Sequence, residues 1–303
     1  MTRKRFTREK AVKWTGTFFY KLLLYIVVFG LAFMILYPYL VKIITSIMSI
    51  DDFVDPTVSF IPRRPTLSTW QRSIREFNVP LAYMNSLMLS GSAALLQTVV
   101  CSLAGYGFAR FKFPGNRLLF ILTIFTMLVP FSTVMLPYFM NFRYFNLIFT
   151  QVNLIDSMWP ILILSLFGLG IKNGLYIYFM RQFFRGLPAE LEEAAFIDGS
   201  GYFRTFFRVM VPNALPSMFS VFLFSFCWSW TDTTYTSVLF NTRHDVVRAA
   251  LNVLAHMPWM VDAAIISNMR NISTMLVIFP IILLYIFAQR SFIQGIERSG
   301  ITS

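Results

Sequence analysis

The sequence predicts an all-α integral membrane protein with six transmembrane helices, and three observations carry that prediction. Of its 303 residues 56% are hydrophobic and 13% charged, with a mean hydropathy of +0.62, whereas a soluble domain carries about 25% charged residues. The apolar residues gather into six runs, each long enough to cross about 30 Å of hydrocarbon as a helix of roughly 20 residues. The chain also lacks the short alternating segments of a membrane barrel.

A basic tail over residues 1–17 comes first; an anionic inner leaflet and plain solvation suit it equally. The first run, Phe18–Ser46, is too long for a signal-peptide core, so no cleavable signal is expected. A connection of Asp51 to Ala82 follows, punctuated by Pro62, Thr66 and Trp70. The second run, Met84–Phe108, closes on Gly105-Tyr106-Gly107-Phe108-Ala109-Arg110, where two small residues four apart allow close helix packing.

Pro130 and Pro137 interrupt the third run, Leu118–Phe139. A broken membrane helix frees backbone groups that need polar partners and so often lines a cavity, although Pro also occurs in such helices without a role. The fourth run lies within Trp159–Phe184 and holds Phe167-Gly168-Leu169-Gly170-Ile171-Lys172-Asn173-Gly174. Its glycines imply a loosened helix, or a span that starts only near Ile171. Lys172 is then either a solute-pathway residue or a side chain snorkelling to the interface.

The fifth run, within Pro212–Trp230, leads to Trp228, Trp230 and Asp232. Trp at a membrane boundary is usually an anchor. An indole face also stacks on a sugar ring, and a nearby carboxylate accepts hydroxyl hydrogen bonds, so the cluster is a candidate solute contact. The sixth run lies within Ile272–Ala288.

Between the fourth and fifth runs, Leu187-Pro188-Ala189-Glu190-Leu191-Glu192-Glu193-Ala194-Ala195-Phe196-Ile197-Asp198-Gly199 is the most polar stretch. Pro188 suits a first helical position, and the acids favour the positive end of a helix dipole. Gly199 is a natural stop. Ala194 and Ala195 leave a low surface for another backbone, and so short a helix needs something to pack against.

Lys and Arg set the orientation. The side holding both termini and this loop carries 15 basic against 6 acidic residues, which makes it cytoplasmic. Topology thus accounts for the net charge of +12, and nucleic-acid binding is not needed.

Glu193-Ala194-Ala195 with Gly199, followed by Val209-x-Val211-Pro212, resembles the EAA loop of permease subunits of ATP-binding-cassette importers. Asn85-Ser86 before the second span and Gln289-Arg290-Ser291-Phe292 near the end are similar to its carbohydrate-type members. Two departures stand out: Val209 and Val211 replace the usual Ile and Leu, and Thr231 and Thr233 replace an Asn and an aromatic around Asp232. The resemblance covers about Phe60 to Gly300.

It implies a type I importer permease: residues 18–303 as one six-helix domain, with a coupling loop at about 185–212. It further implies a sugar or oligosaccharide solute moved by alternating access in a bacterial plasma membrane. The partners it implies are ATP-hydrolysing subunits, a second permease chain, an extracellular solute-binding protein and membrane lipid. The ATPase-docking residues would be Glu190, Glu193, Ala194, Ala195, Asp198 and Gly199. Another solute class on the same architecture, or a stand-alone carrier, is the alternative.

The chain itself carries no Gly-x-x-x-x-Gly-Lys-Ser/Thr loop, no nucleophile elbow and no Cys/His/acid cluster at metal spacing. Its two histidines, His244 and His256, and its two cysteines, Cys101 and Cys227, stand apart. No catalytic residue, metal or cofactor is expected, and ATP hydrolysis is assigned to a separate subunit.

Overall fold

The computed structural model describes residues 8–147, 150–240 and 262–300; His244 and His256 lie outside them. The described residues are mostly helical, with one antiparallel hairpin that pairs Phe145–Leu147 with Thr150–Val152. They fall into two compact units, one drawn from residues 1–72 and 259–275, the other from 73–258 and 276–303.

In the first unit, α1 (Arg8–Ser46) begins inside the predicted tail and runs through the first span. From Phe18 to Phe29 its side chains are exposed and, apart from Lys21, lack charge on every face, as expected of a helix in contact with lipid or another subunit. Lys42, an ionisable residue within this span, donates to Asn271 Oδ1 at 3.0 Å, and Asn271 in turn donates to Thr45 Oγ1 at 3.3 Å. That chain of polar contacts satisfies an ammonium that hydrocarbon alone could not hold. Past α1, Ser49 caps the short α2 (Ile50–Val54), and Trp70 Nε1 donates to Ser46 Oγ at 3.1 Å. Asp55 bonds Thr57 and pairs with Arg63 at 3.0 Å, and these contacts, the Thr57 hydroxyl first, hold its carboxyl below the usual range.

The second unit is organised on α4 (Val79–Arg110), after the short α3 (Ser68–Glu76). Against α4 pack α7 (Trp159–Leu166), α8 (Asn173–Gly186) and α11 (Val211–Trp230). Small and polar residues on α4 permit this: Ala93, Ala94, Gln97, Cys101 and Gly105 are all buried. A Cβ added to Gly105 would stand 2.7 Å from Met180 Cβ and 2.9 Å from the Arg181 backbone nitrogen, so α4 and α8 touch backbone to backbone there. Gln97 stitches three helices: its Oε1 accepts from Ser225 on α11, and its Nε2 donates to Ser165 on α7 at 3.5 Å. Around these contacts lies an apolar cluster that includes Tyr176, Met180, Phe184, Phe206 and Met210.

Among the described residues four helices are long and apolar enough to cross a membrane: Thr17–Ser46, Val79–Arg110, Tyr202–Trp230 and Ala263–Gln289. They coincide with the first, second, fifth and sixth predicted runs. The third run bends by 97° between Asn116–Leu128 and Phe131–Arg143, and counting the pair as one span makes five. Pro130 ends the first half, because a proline restricts the residue before it and supplies no N–H. Pro137 sits inside α6 (Phe131–Arg143), which follows α5 (Asn116–Phe125), and does not end it. The fourth run divides into α7 and α8, about 12 Å and 21 Å long at 1.5 Å per residue. Neither crosses alone, so the predicted count of six is not reproduced by length and apolarity. Gly168 (φ 72°) and Lys172 (φ 62°) mark the break in left-handed backbone.

Candidate functional site

Two places collect the residues singled out by sequence. In the first, α8 ends at Gly186, and Leu187-Pro188 carries extended backbone into α9 (Glu190–Ile197). Pro188 lies one residue ahead of the Ala189 N-cap rather than at the first helical position. Glu190, Glu192 and Glu193 fill the first turn, where the helix dipole favours them.

At the other end Gly199 has φ 77°; its N–H bonds the Phe196 carbonyl at 3.0 Å, and the Ser200 N–H bonds that of Ala195 at 2.9 Å. This is the paired capping pattern that a left-handed glycine makes available. It bears out Gly199 as the stop.

The faces of α9 divide sharply. Glu190, Glu193, Ala194, Asp198 and Gly199 are exposed, and Ile197 is 86% exposed. Ala195, expected on the outward surface, is buried against its own chain, so the outward low surface is Ala194 alone. Glu192 is also buried, and its Oε2 lies 3.2 Å from Arg110 Nε at the end of α4. Sequence reasoning missed this pair. Arg110 reads as one more topogenic cation and Glu192 as one more dipole acid, and no sequence rule joins positions so far apart.

The second place is a cavity of about 420 Å³ where both helix breaks meet the end of α11. Val129, Phe131 and Tyr138 line it from the α5–α6 bend, Gly168 to Gly174 from the α7–α8 break, and Trp228, Asp232 and Tyr235 from α11 and beyond. The Lys172 ammonium sits 5.0 Å from the centre of the Trp228 ring, within cation–π range.

Asp232 accepts backbone N–H groups from Thr234 (3.2 Å), Tyr235 (3.3 Å) and Thr236 (2.9 Å), at the start of α12 (Thr234–Leu239). Burial pushes its carboxyl above the usual range, against the pull of those donors.

Trp230 goes elsewhere. It is 2% exposed, stacks on Phe226 at 5.6 Å and donates its indole N–H to the Val277 carbonyl at 3.0 Å. It is a packing residue, because its two-residue offset from Trp228 turns it to the opposite side of the helix. A Trp230→Phe chain is therefore expected to lose thermal stability by about 1 kcal/mol, the worth of a buried hydrogen bond, while solute affinity stays unchanged in uptake assays.

Apolar spans, a broken-helix cavity and a projecting two-turn polar helix define a multi-pass membrane transport component. The chain belongs to the family of binding-protein-dependent transport system inner membrane components, whose model matches residues 98–298.

A probable ABC transporter permease protein of Pyrococcus horikoshii is 26% identical over 270 residues, 88% of this chain and 91% of its own. The arabinooligosaccharides transport system permease protein of Bacillus subtilis is 26% identical over 225 residues, 72% of each chain. Among solved structures, a chain of a bacterial ABC transporter that imports the acidic polysaccharide alginate matches with a TM-score of 0.72 at 20% identity. That match covers 96% of this chain and all of the other, and it shows the shared fold.

Proposed function

We propose that this chain is one of two permease subunits in an ATP-driven importer of sugars or oligosaccharides. The observation that carries the reading is α9, a two-turn helix with one face locked to its own chain and the other presented outward. A helix so short has little stability of its own, so an exposed face kept in fixed conformation suits a docking contact.

In this reading α9 is cytoplasmic, with both termini on the same side, as the charge asymmetry supports. Glu190, Glu193 and Asp198 supply polar contacts to an ATPase subunit, Ala194 the close approach, and Gly199 the turn. Ala195 serves from behind, seating α9 on its own chain. Closure of the ATPase pair rocks the spans between inward-open and outward-open states. An extracellular solute-binding protein delivers the solute, and the permease chain hydrolyses nothing itself.

The carbohydrate class is supported by the arabinooligosaccharide relative and by a diacetylchitobiose uptake permease of Streptomyces coelicolor, 29% identical over 211 residues. The aromatic cavity at Trp228 fits it. Competition of labelled-sugar uptake by unlabelled solutes in the host tests the class; uptake insensitive to every sugar would point to another solute on the same architecture.

Trp228→Ala is expected to weaken apparent solute affinity by roughly twofold to thirteenfold, since an aromatic face contributes about 0.5–1.5 kcal/mol. Co-purification of the ATPase should be unchanged. Equal affinities for the two chains would remove Trp228 from the pathway.

A further inference from the structure

We propose that Arg110 is a positioning residue: by clamping Glu192 and the Leu187 carbonyl it makes α9 and α4 one rigid lever. The inference rests on the docking role given to α9 and adds the route by which its movement enters the membrane.

Three observations converge on the end of α4. Arg110 Nε lies 3.2 Å from Glu192 Oε2, with the two side chains only 14% and 10% exposed. Its Nη2 donates to the Leu187 carbonyl at 2.7 Å, in the extended link between α8 and α9. One guanidinium therefore holds both the approach to α9 and its first turn, which the fork of an arginine can do and a point charge cannot. A buried pair of this kind does not slide freely, because parting it would leave each charge desolvated and alone.

Just below, the backbone contact at Gly105 fixes α8 to the same stretch of α4. On its other side α9 packs against the segment that follows it, with the Phe196 and Tyr202 rings edge to face at 5.1 Å. The chain passes through the one-turn α10 (Tyr202–Thr205) and a π-helical turn at Phe206–Met210 before α11 begins. A π-helical turn is a local insertion of wide pitch, often found where helices serve a function. Force on α9 therefore passes stiffly to α4 and, through it, to the Gln97 contacts with α7 and α11.

The test uses the whole transporter, purified through a tag on this chain from its own host. Spin labels are placed on cysteines at Leu95 on α4 and Ile197 on α9, both exposed, with Cys101 and Cys227 replaced by alanine. Pulsed electron resonance reads their separation without nucleotide and with ATP and vanadate trapped.

The native pair should give one narrow distance in both states. Arg110→Gln/Glu192→Gln, which strands no charge, should give a broad distribution that shifts on trapping, with ATPase subunits still co-purifying. A native distance that changes on trapping, or a double variant that keeps the native distance in both states, would overturn the lever. If the double variant does not accumulate, Arg110→Lys decides. It keeps the charge but loses the fork to Leu187, so broadening supports the clamp and a native distribution overturns it. Absence of ATPase subunits from the native preparation would instead remove the docking role on which the inference rests.

Discussion

A Gly199→Val chain is expected to reach the membrane and to lose solute uptake by more than tenfold, with ATPase recovery on the tagged chain falling in parallel. Gly199 holds φ 77°, a conformation that costs an L-residue roughly 1–2 kcal/mol and that a β-branched side chain adopts least readily. Strain of that size decides the fate of α9, which has eight residues and is too short to persist unaided. Moving residue 199 out of the left-handed region breaks the bonds from its N–H to Phe196 and from Ser200 to Ala195, and the end of α9 unwinds.

The effect is conformational rather than steric, because a Cβ at Gly199 meets nothing within 4 Å. Gly199→Asn, which tolerates the left-handed region, should therefore keep most of the uptake. Equal loss with Asn and Val would mean that bulk on the docking face matters and not the turn.

Gly105→Val should have the largest effect on stability. The added Cβ would lie 2.7 Å from Met180 Cβ, 2.9 Å from the Arg181 nitrogen and 3.0 Å from the Met180 carbonyl carbon. Two of these three atoms are backbone, so no rotamer change relieves the clash and α4 must part from α8. Overpacking of this kind typically costs about 1–3 kcal/mol, occasionally more.

Two residues on, Gly107 has open space at the same distance. Gly107→Ala removes only a poor helix former and should be neutral or slightly stabilising. Fluorescence-detected size-exclusion after heating in detergent compares the two chains. Similar melting of both would mean that α4 and α8 do not meet at Gly105.

These two glycines show how far the sequence could be read. Gly199 was legible because a helix stop is local chemistry: acids, then alanines, then a residue free to turn left-handed. Gly105 was legible as a packing residue from its spacing to Ala109, although the partner helix was not. The four long spans could be read from hydropathy alone, which scores each segment against lipid and needs no tertiary information.

Where tertiary contacts decide, the sequence said less. The break in the fourth run was foreseen from its glycines, but not that α7 and α8 would each fall short of a span. Trp228 and Trp230 read alike as aromatics near Asp232; only the helix turn places one in the cavity and the other against Val277. Ala194 and Ala195 read as one smooth surface, yet they lie on opposite sides of the boundary between solvent and core. The Arg110–Glu192 pair was invisible, because each charge had a sufficient local explanation.

The same physical feature runs through both candidate places. Irregular backbone beside each is held by side chains that pair inward: Asp232 on three N–H groups in the turn after α11, and Arg110 on the Leu187 carbonyl between α8 and α9. Membrane helices tolerate such breaks only where the freed polar groups find partners.

The central claim, that this chain is half of an ATP-driven pore, is tested most directly by purifying the tagged chain from its own host in mild detergent. Mass spectrometry then identifies and counts what accompanies it. A P-loop ATPase and a second permease, recovered in fixed proportion to the tagged chain, are the expected result. Recovery of this chain alone, still moving solute across liposomes without ATP, would contradict the claim and make it a self-sufficient carrier.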